Sequence, residues 1–92
     1  MKFTYPAIFK KNEEGGYDGR FVDLACCEVS GYSLDDAIRN AIEAEADWIR
    51  LELEEDYPSF PPVSDLEDLV LAEGEIARNI GVNVRFYDGW DE

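Results

Sequence analysis

The chain is 92 residues long, 46% hydrophobic and 13% aromatic, with 8 Lys plus Arg against 22 Asp plus Glu for a formal charge of -14. That length admits one domain with a core of modest size, so a single domain over residues 1–92 is expected. With no histidine present, Ser-His-Asp and Cys-His nucleophile systems, imidazole metal sites and a histidine general base are excluded.

In Lys2–Lys11, Phe3, Tyr5, Ala7 and Phe9 alternate with Lys2, Thr4, Pro6, Ile8 and Lys10, the period of a strand with one strongly apolar face. Pro6 has no N–H for a ladder and is expected at an edge or bulge. Asn12-Glu13-Glu14-Gly15-Gly16 supplies a turn, the alternation resumes over Tyr17–Leu24, and a third short strand over Cys26–Ser30 ends at Gly31. Ser33 and Asp36 have capping-box spacing, with Asp where Glu is commoner, which starts a helix at Leu34. Leu34, Ala37, Ile38, Ala41, Ile42, Trp48 and Ile49 form its apolar stripe and carry it to about Leu53, while Asp35–Arg39 and Arg39–Glu43 have ion-pair spacing on the other face.

Three of the four prolines fall in Tyr57-Pro58-Ser59-Phe60-Pro61-Pro62, which stops the helix and begins an extended connection. Ser64 with Glu67 has the spacing to cap a short helical turn through Leu69, and Val82, Val84 and Phe86 alternate with Asn83, Arg85 and Tyr87 as a final strand. The order β-β-β-α-β implies an α+β fold, one long helix on a small antiparallel-rich sheet.

The charge is uneven: -2 over residues 1–42, -6 over 43–62 and -6 over 63–92. So few bases argue against direct nucleic-acid binding, because phosphate backbones are held by Lys and Arg. A basic protein partner is the better electrostatic match, although net charge also serves solubility alone. The adjacent Cys26 and Cys27 suggest a reducing, cytoplasmic setting, with core packing the plainer role for them than redox switching. No apolar run approaches a membrane span, so neither a membrane association nor a cofactor or metal is expected.

Tyr5-Pro6-Ala7, then Gly15-Gly16-Tyr17, then Phe21-Val22-Asp23-Leu24 ahead of Cys27, then Gly31-Tyr32-Ser33-Leu34-Asp35-Asp36-Ala37 and Asn40-Ala41 form an ordered set. In this order and spacing the chain resembles the HicB antitoxin family, over residues 3–70 and into Pro61–Leu69. It departs where Val22 replaces the proline of F-P-D, where Ala25 and Cys26 replace P-G, and where Asp36 stands for Glu. The resemblance implies a reduced RNase H-like domain that neutralises a small basic, mRNA-cleaving HicA-type toxin by masking its active or RNA-binding surface, without chemistry of its own. It further implies homodimers or larger assemblies. Many relatives append a helix-turn-helix or ribbon-helix-helix module, for which this sequence shows no basic helix.

Within that reading, Glu54, Glu55, Asp56, Tyr57 and Phe60, with Trp90, are the candidate toxin-binding residues, and Val82, Val84 and Phe86 are the candidate oligomer interface. Acids at a helix C-terminus oppose the dipole, so either the helix frays there or something basic compensates. The plainer alternatives are a solvated acidic helix end, a frayed terminus at Trp90 and core packing for Trp48. Two other functions compete: an orphan dimeric adaptor or ligand-binding domain with the same fold and no toxin, and a vestigial nuclease using Asp18, Asp23 and Glu28. The nuclease is disfavoured because Lys2–Lys11 carries no acid, whereas RNase H-type metal sites need one in the first strand.

Overall fold

Phe3, Tyr5, Ala7 and Phe9 do share one face of a ten-residue strand, β1 (Lys2–Lys11), and that face is where the core forms. The computed structural model describes residues 2–57 and 59–84. Arg85, Phe86, Tyr87 and Trp90, named above for a strand or an interface, lie outside the described residues.

β1 is followed by β2 (Tyr17–Phe21), β3 (Glu28–Gly31), α1 (Leu34–Leu53), a 3₁₀ turn (Leu66–Asp68) and β4 (Glu75–Asn83). The strands form one antiparallel sheet in the order β3-β2-β1-β4, with α1 packed on one face. The fold is therefore α+β with the expected order of elements. Phe9, Leu24 and Ala41 are buried in the larger apolar cluster, while Ala46, Ile49, Val82 and Val84 make a second one under the C-terminal half of α1.

The first hairpin closes as its residues dictate. The Asn12 side-chain oxygen accepts from the amides of Glu14 and Gly16 at 3.0 and 2.9 Å, and Gly15 takes φ +88°, which costs glycine nothing. α1 begins at Ser33, whose hydroxyl accepts from the Asp36 amide at 3.1 Å. The Asp36 carboxylate reaches back to the Tyr32 amide at 2.9 Å, one residue before the capping residue.

Several expectations need correction. β2 stops at Phe21, not Leu24, because the chain turns through Leu24–Cys27, with Cys26 at φ +58° and the Phe21 amide bonded to the Cys27 carbonyl at 3.0 Å. β3 accordingly begins at Glu28. β4 begins at Glu75, seven residues before the expected start. Its sequence lacks clean alternation because Arg78 sits in the helix-side row opposite Ala7, and pairing with β1 from Lys10↔Glu75 to Lys2↔Asn83 imposes the strand instead. Ser64 caps nothing; Asp65 precedes the 3₁₀ turn without a side-chain cap.

Pro6 lies in an interior strand and not at an edge, yet its missing donor is tolerated for a local reason. Opposite it, β2 has already ended, and the Pro6 carbonyl accepts from the Val22 amide at 3.3 Å. In an antiparallel strand the N–H and C=O of one residue point to the same side, so only the return bond of that last pair is forfeited. On α1, Ile42 lies at the margin of the buried face and is 41% exposed, whereas Glu45 is within it and fully buried. The charged face closes one ion pair among the described residues, Arg50 to Asp47 at 3.2 Å, and not the two that the spacing suggested.

Candidate interaction surface and its supports

α1 ends at Leu53 with Glu54 as its C-cap, so Glu54, Glu55 and Asp56 lie at and beyond the helix end and are exposed. Stopping the helix there limits the conflict between these acids and the negative end of the helix dipole. The basic residue of the last turn, Arg50, is held by Asp47. Tyr57 is 90% exposed, and Leu51 in the last turn of α1 is 66% exposed. Acid and apolar surface are thus offered together at one end of the molecule.

The segment beyond is anchored at four points. The Glu52 carboxylate accepts from the Ser59 amide at 3.0 Å, and the Phe60 ring lies 5.0 Å from Phe3, tilted by 39°. The Tyr5 hydroxyl donates to the Pro61 carbonyl at 2.7 Å, and Asp23 accepts from both the amide and the hydroxyl of Ser64 at 2.8 Å. Phe60 is half-buried and spends one face on Phe3, so its first role is to fix the path of the segment that carries Tyr57.

Val82 and Val84 pack into the protein's own core against Ala46 and Ile49. Their side chains are not available to a second molecule, and what β4 offers outward at this end is its backbone edge. Trp48 is half-buried, and its indole N–H donates to the Ala25 carbonyl at 3.2 Å, tying α1 to the 22–27 turn. Cys27 is buried and Cys26 exposed.

The acids weighed for a nuclease are placed apart in role. Asp23 is committed to Ser64, Asp18 accepts from the Asn12 side-chain amide at 3.1 Å, and Glu28 faces Arg20 across the β2–β3 ladder. Among the described residues, no group of three His, Cys, Asp or Glu is placed to hold a metal ion.

Glu45 was not anticipated. Its side chain lies where α1 passes from one apolar cluster to the other, and both carboxylate oxygens are buried without a hydrogen-bond partner among the described residues. Burial pushes its pKa up to about 8, so the group is largely neutral at pH 7. Nearby, burial raises the Tyr5 hydroxyl, with Asp23 and Glu45 adding to the effect, and burial followed by Glu45 raises the Cys27 thiol. The apolar stripe contained a signal for it: the jump from Ile42 to Trp48 leaves one helical turn unfilled, and position 45 fills it.

No family model matches the chain, and no curated protein matches it by sequence. Solved structures do. The N-terminal domain of the Burkholderia pseudomallei antitoxin HicB is 27% identical, with TM-score 0.73 over 88% of this chain and 99% of that one. A chain of the HicA3 and HicB3 toxin-antitoxin complex is 30% identical, with TM-score 0.67 over 90% of this chain and 99% of that one. This chain belongs to the HicB-like antitoxin family. The longer B. pseudomallei antitoxin HicB is 26% identical with TM-score 0.76; the match covers 98% of this HicB-like chain and 70% of that antitoxin. The HicB-like chain thus has the N-terminal-domain fold, and no helix among its described residues is long and apolar enough to cross a membrane.

Proposed function

We propose that this protein is an antitoxin that binds a small basic HicA-type toxin and neutralises it by covering its active or RNA-binding surface, with no chemistry of its own. The observation that carries the reading is its 30% identity to a chain of a toxin-antitoxin complex across 99% of that chain. The formal charge of -14 supports it, since an anionic inhibitor suits a ribonuclease that holds phosphate backbones with cationic side chains. In this reading the toxin meets the anionic end of α1, where Glu54, Glu55 and Asp56 provide charge and Tyr57, 90% exposed, provides an aromatic anchor.

The test is co-expression with whichever small basic protein is encoded beside this one, followed by co-purification and a growth assay. A stable complex that relieves toxicity is expected. A non-toxic neighbour, or no complex, rejects the antitoxin reading and leaves an adaptor with the same fold. The triple charge reversal E54K/E55K/D56K is expected to weaken the complex at least tenfold at low salt while leaving the fold intact, and unchanged affinity would remove the docking surface from this end of α1.

A further inference from the structure

We infer that the outer edge of β4 is a strand-addition site that takes an extended, cationic segment of the partner protein. The inference rests on the antitoxin reading for the partner's basic character, and on the following geometry for the place.

The sheet has two edges of unequal length. β3 exposes an edge of four residues, whereas β4 runs for nine and pairs, among the described residues, with β1 alone. Long edges are normally blunted by proline, a bulge or a free lysine, because their unpaired N–H and C=O groups template pairing with another chain. Glu75–Asn83 contains no proline and no lysine, its register with β1 advances one residue at a time without a bulge, and the one inward-row charge that guards it is Arg78. Both of its charged residues lie towards the Glu75 end, away from Gly81–Asn83. Glu75 pairs with Arg20 at 3.1 Å, and Arg78 donates to the Ala77 carbonyl, an outward-facing edge group, at 2.9 Å, which leaves Asn79–Asn83 as the open part of the edge.

A groove of about 530 Å³ runs beside this edge, where Ile42, Glu43, Ala46, Asp47 and Arg50 of α1 overhang Gly81–Asn83 of β4, two acids to one base. Ile42 is the member of the helix stripe left 41% exposed, although its spacing suits burial. A fifth strand added to β4 directs alternate side chains beneath α1, covering Ile42 and bringing the intervening chain past Glu43 and Asp47. Arg50 holds Asp47, while Glu43 has no ion pair among the described residues. A second copy of this chain is the rival occupant, but it brings another -14 to the junction, whereas a cationic segment neutralises it.

Hydrogen exchange on the chain alone and in complex with the neighbouring basic protein tests the inference. Alternate amides within Glu75–Asn83 are expected to exchange freely in the isolated chain and at least tenfold more slowly in the complex. The E43K/D47K variant is expected to weaken that complex at least tenfold. A complex that forms without protecting β4 overturns the strand addition while leaving the antitoxin reading in place. Protection of the edge in the isolated chain that disappears on dilution assigns it to a second copy and overturns the cationic occupant. Failure of any complex to form rejects the antitoxin reading, and the inference falls with it.

Discussion

Gly31 shows what the recognisable residues of this sequence do. A Cβ there would collide with the backbone of α1 at Ala37, and one at Gly16 would collide with the Gly31 carbonyl. A Cβ at Gly19 would lie 2.6 Å from the Phe9 ring. Ala37 and Ala41 are fully buried, and the Asn40 side-chain amide donates to the Ser30 carbonyl at 2.7 Å. The glycines, Ser33, Asp36, Ala37, Asn40 and Ala41 that make up the family pattern therefore bring the hairpin, β3 and the start of α1 into close packing. That is why the fold was legible from them while the docking surface was not. Gly31→Ala is expected to cost about 2 kcal/mol or more, since the atom in the way is helix backbone and cannot rotate aside. Denaturant unfolding measures it.

Glu45 carries the prediction with the clearest sign. Its folded pKa of about 8 stands above the ordinary 4.5, so between those values the native state binds more protons than the unfolded state. Stability contributed by the neutral acid is complete below about pH 4.5, falls as pH rises through about 8, and levels off above. Other carboxylates titrate too, so the informative quantity is the difference from Glu45→Gln, which cannot ionise. The variant is expected to be more stable than the parent at pH 9, on the order of 2 kcal/mol, with the gap closing by pH 4.5. A gap independent of pH would show that Glu45 is not buried as a neutral acid. The gap in the apolar stripe between Ile42 and Trp48 places position 45 on the core face, but how deeply Glu45 is buried is decided by where α1 crosses the sheet.

At the scale of elements, the helix and the first strand were legible to the residue, for local reasons. α1 is bounded by the Ser33 cap and by the acids and prolines beyond Leu53, and β1 by its alternation and the Asn12–Gly16 turn. The start of β4 is hidden in the sequence because Arg78 in the helix-side row breaks its pattern, and pairing with β1, far away in the chain, decides it. Ser64 reads as a cap in the sequence because its actual partner, Asp23, lies 41 residues away. Two predictions follow at this scale. Ser33→Ala is expected to lower stability by about 1 kcal/mol through the lost cap. Asp23→Ala removes both hydrogen bonds to Ser64, one of them to a backbone amide, and is expected to cost about 1.5–3 kcal/mol. Proteolysis within residues 59–65 should quicken in that variant, because the segment loses one of its anchors.

For the whole molecule, charge is the property that most directly joins structure to function. A formal charge of -14 is poor support for a compact state and good support for fast, selective encounter with a cation-rich partner. Association with the proposed basic partner is accordingly expected to slow steeply as salt rises from 50 to 500 mM, with a weaker effect on dissociation, which stopped-flow or surface-binding kinetics resolves. A salt-independent association rate would mean that the acidic half serves solubility alone. The measurement that bears most directly on the central claim is RNA cleavage by the neighbouring basic protein, titrated with this chain. The account predicts cleavage that falls linearly to zero at a fixed molar ratio, with no RNA cleavage by this chain alone. Undiminished cleavage at saturating excess of the chain would contradict it.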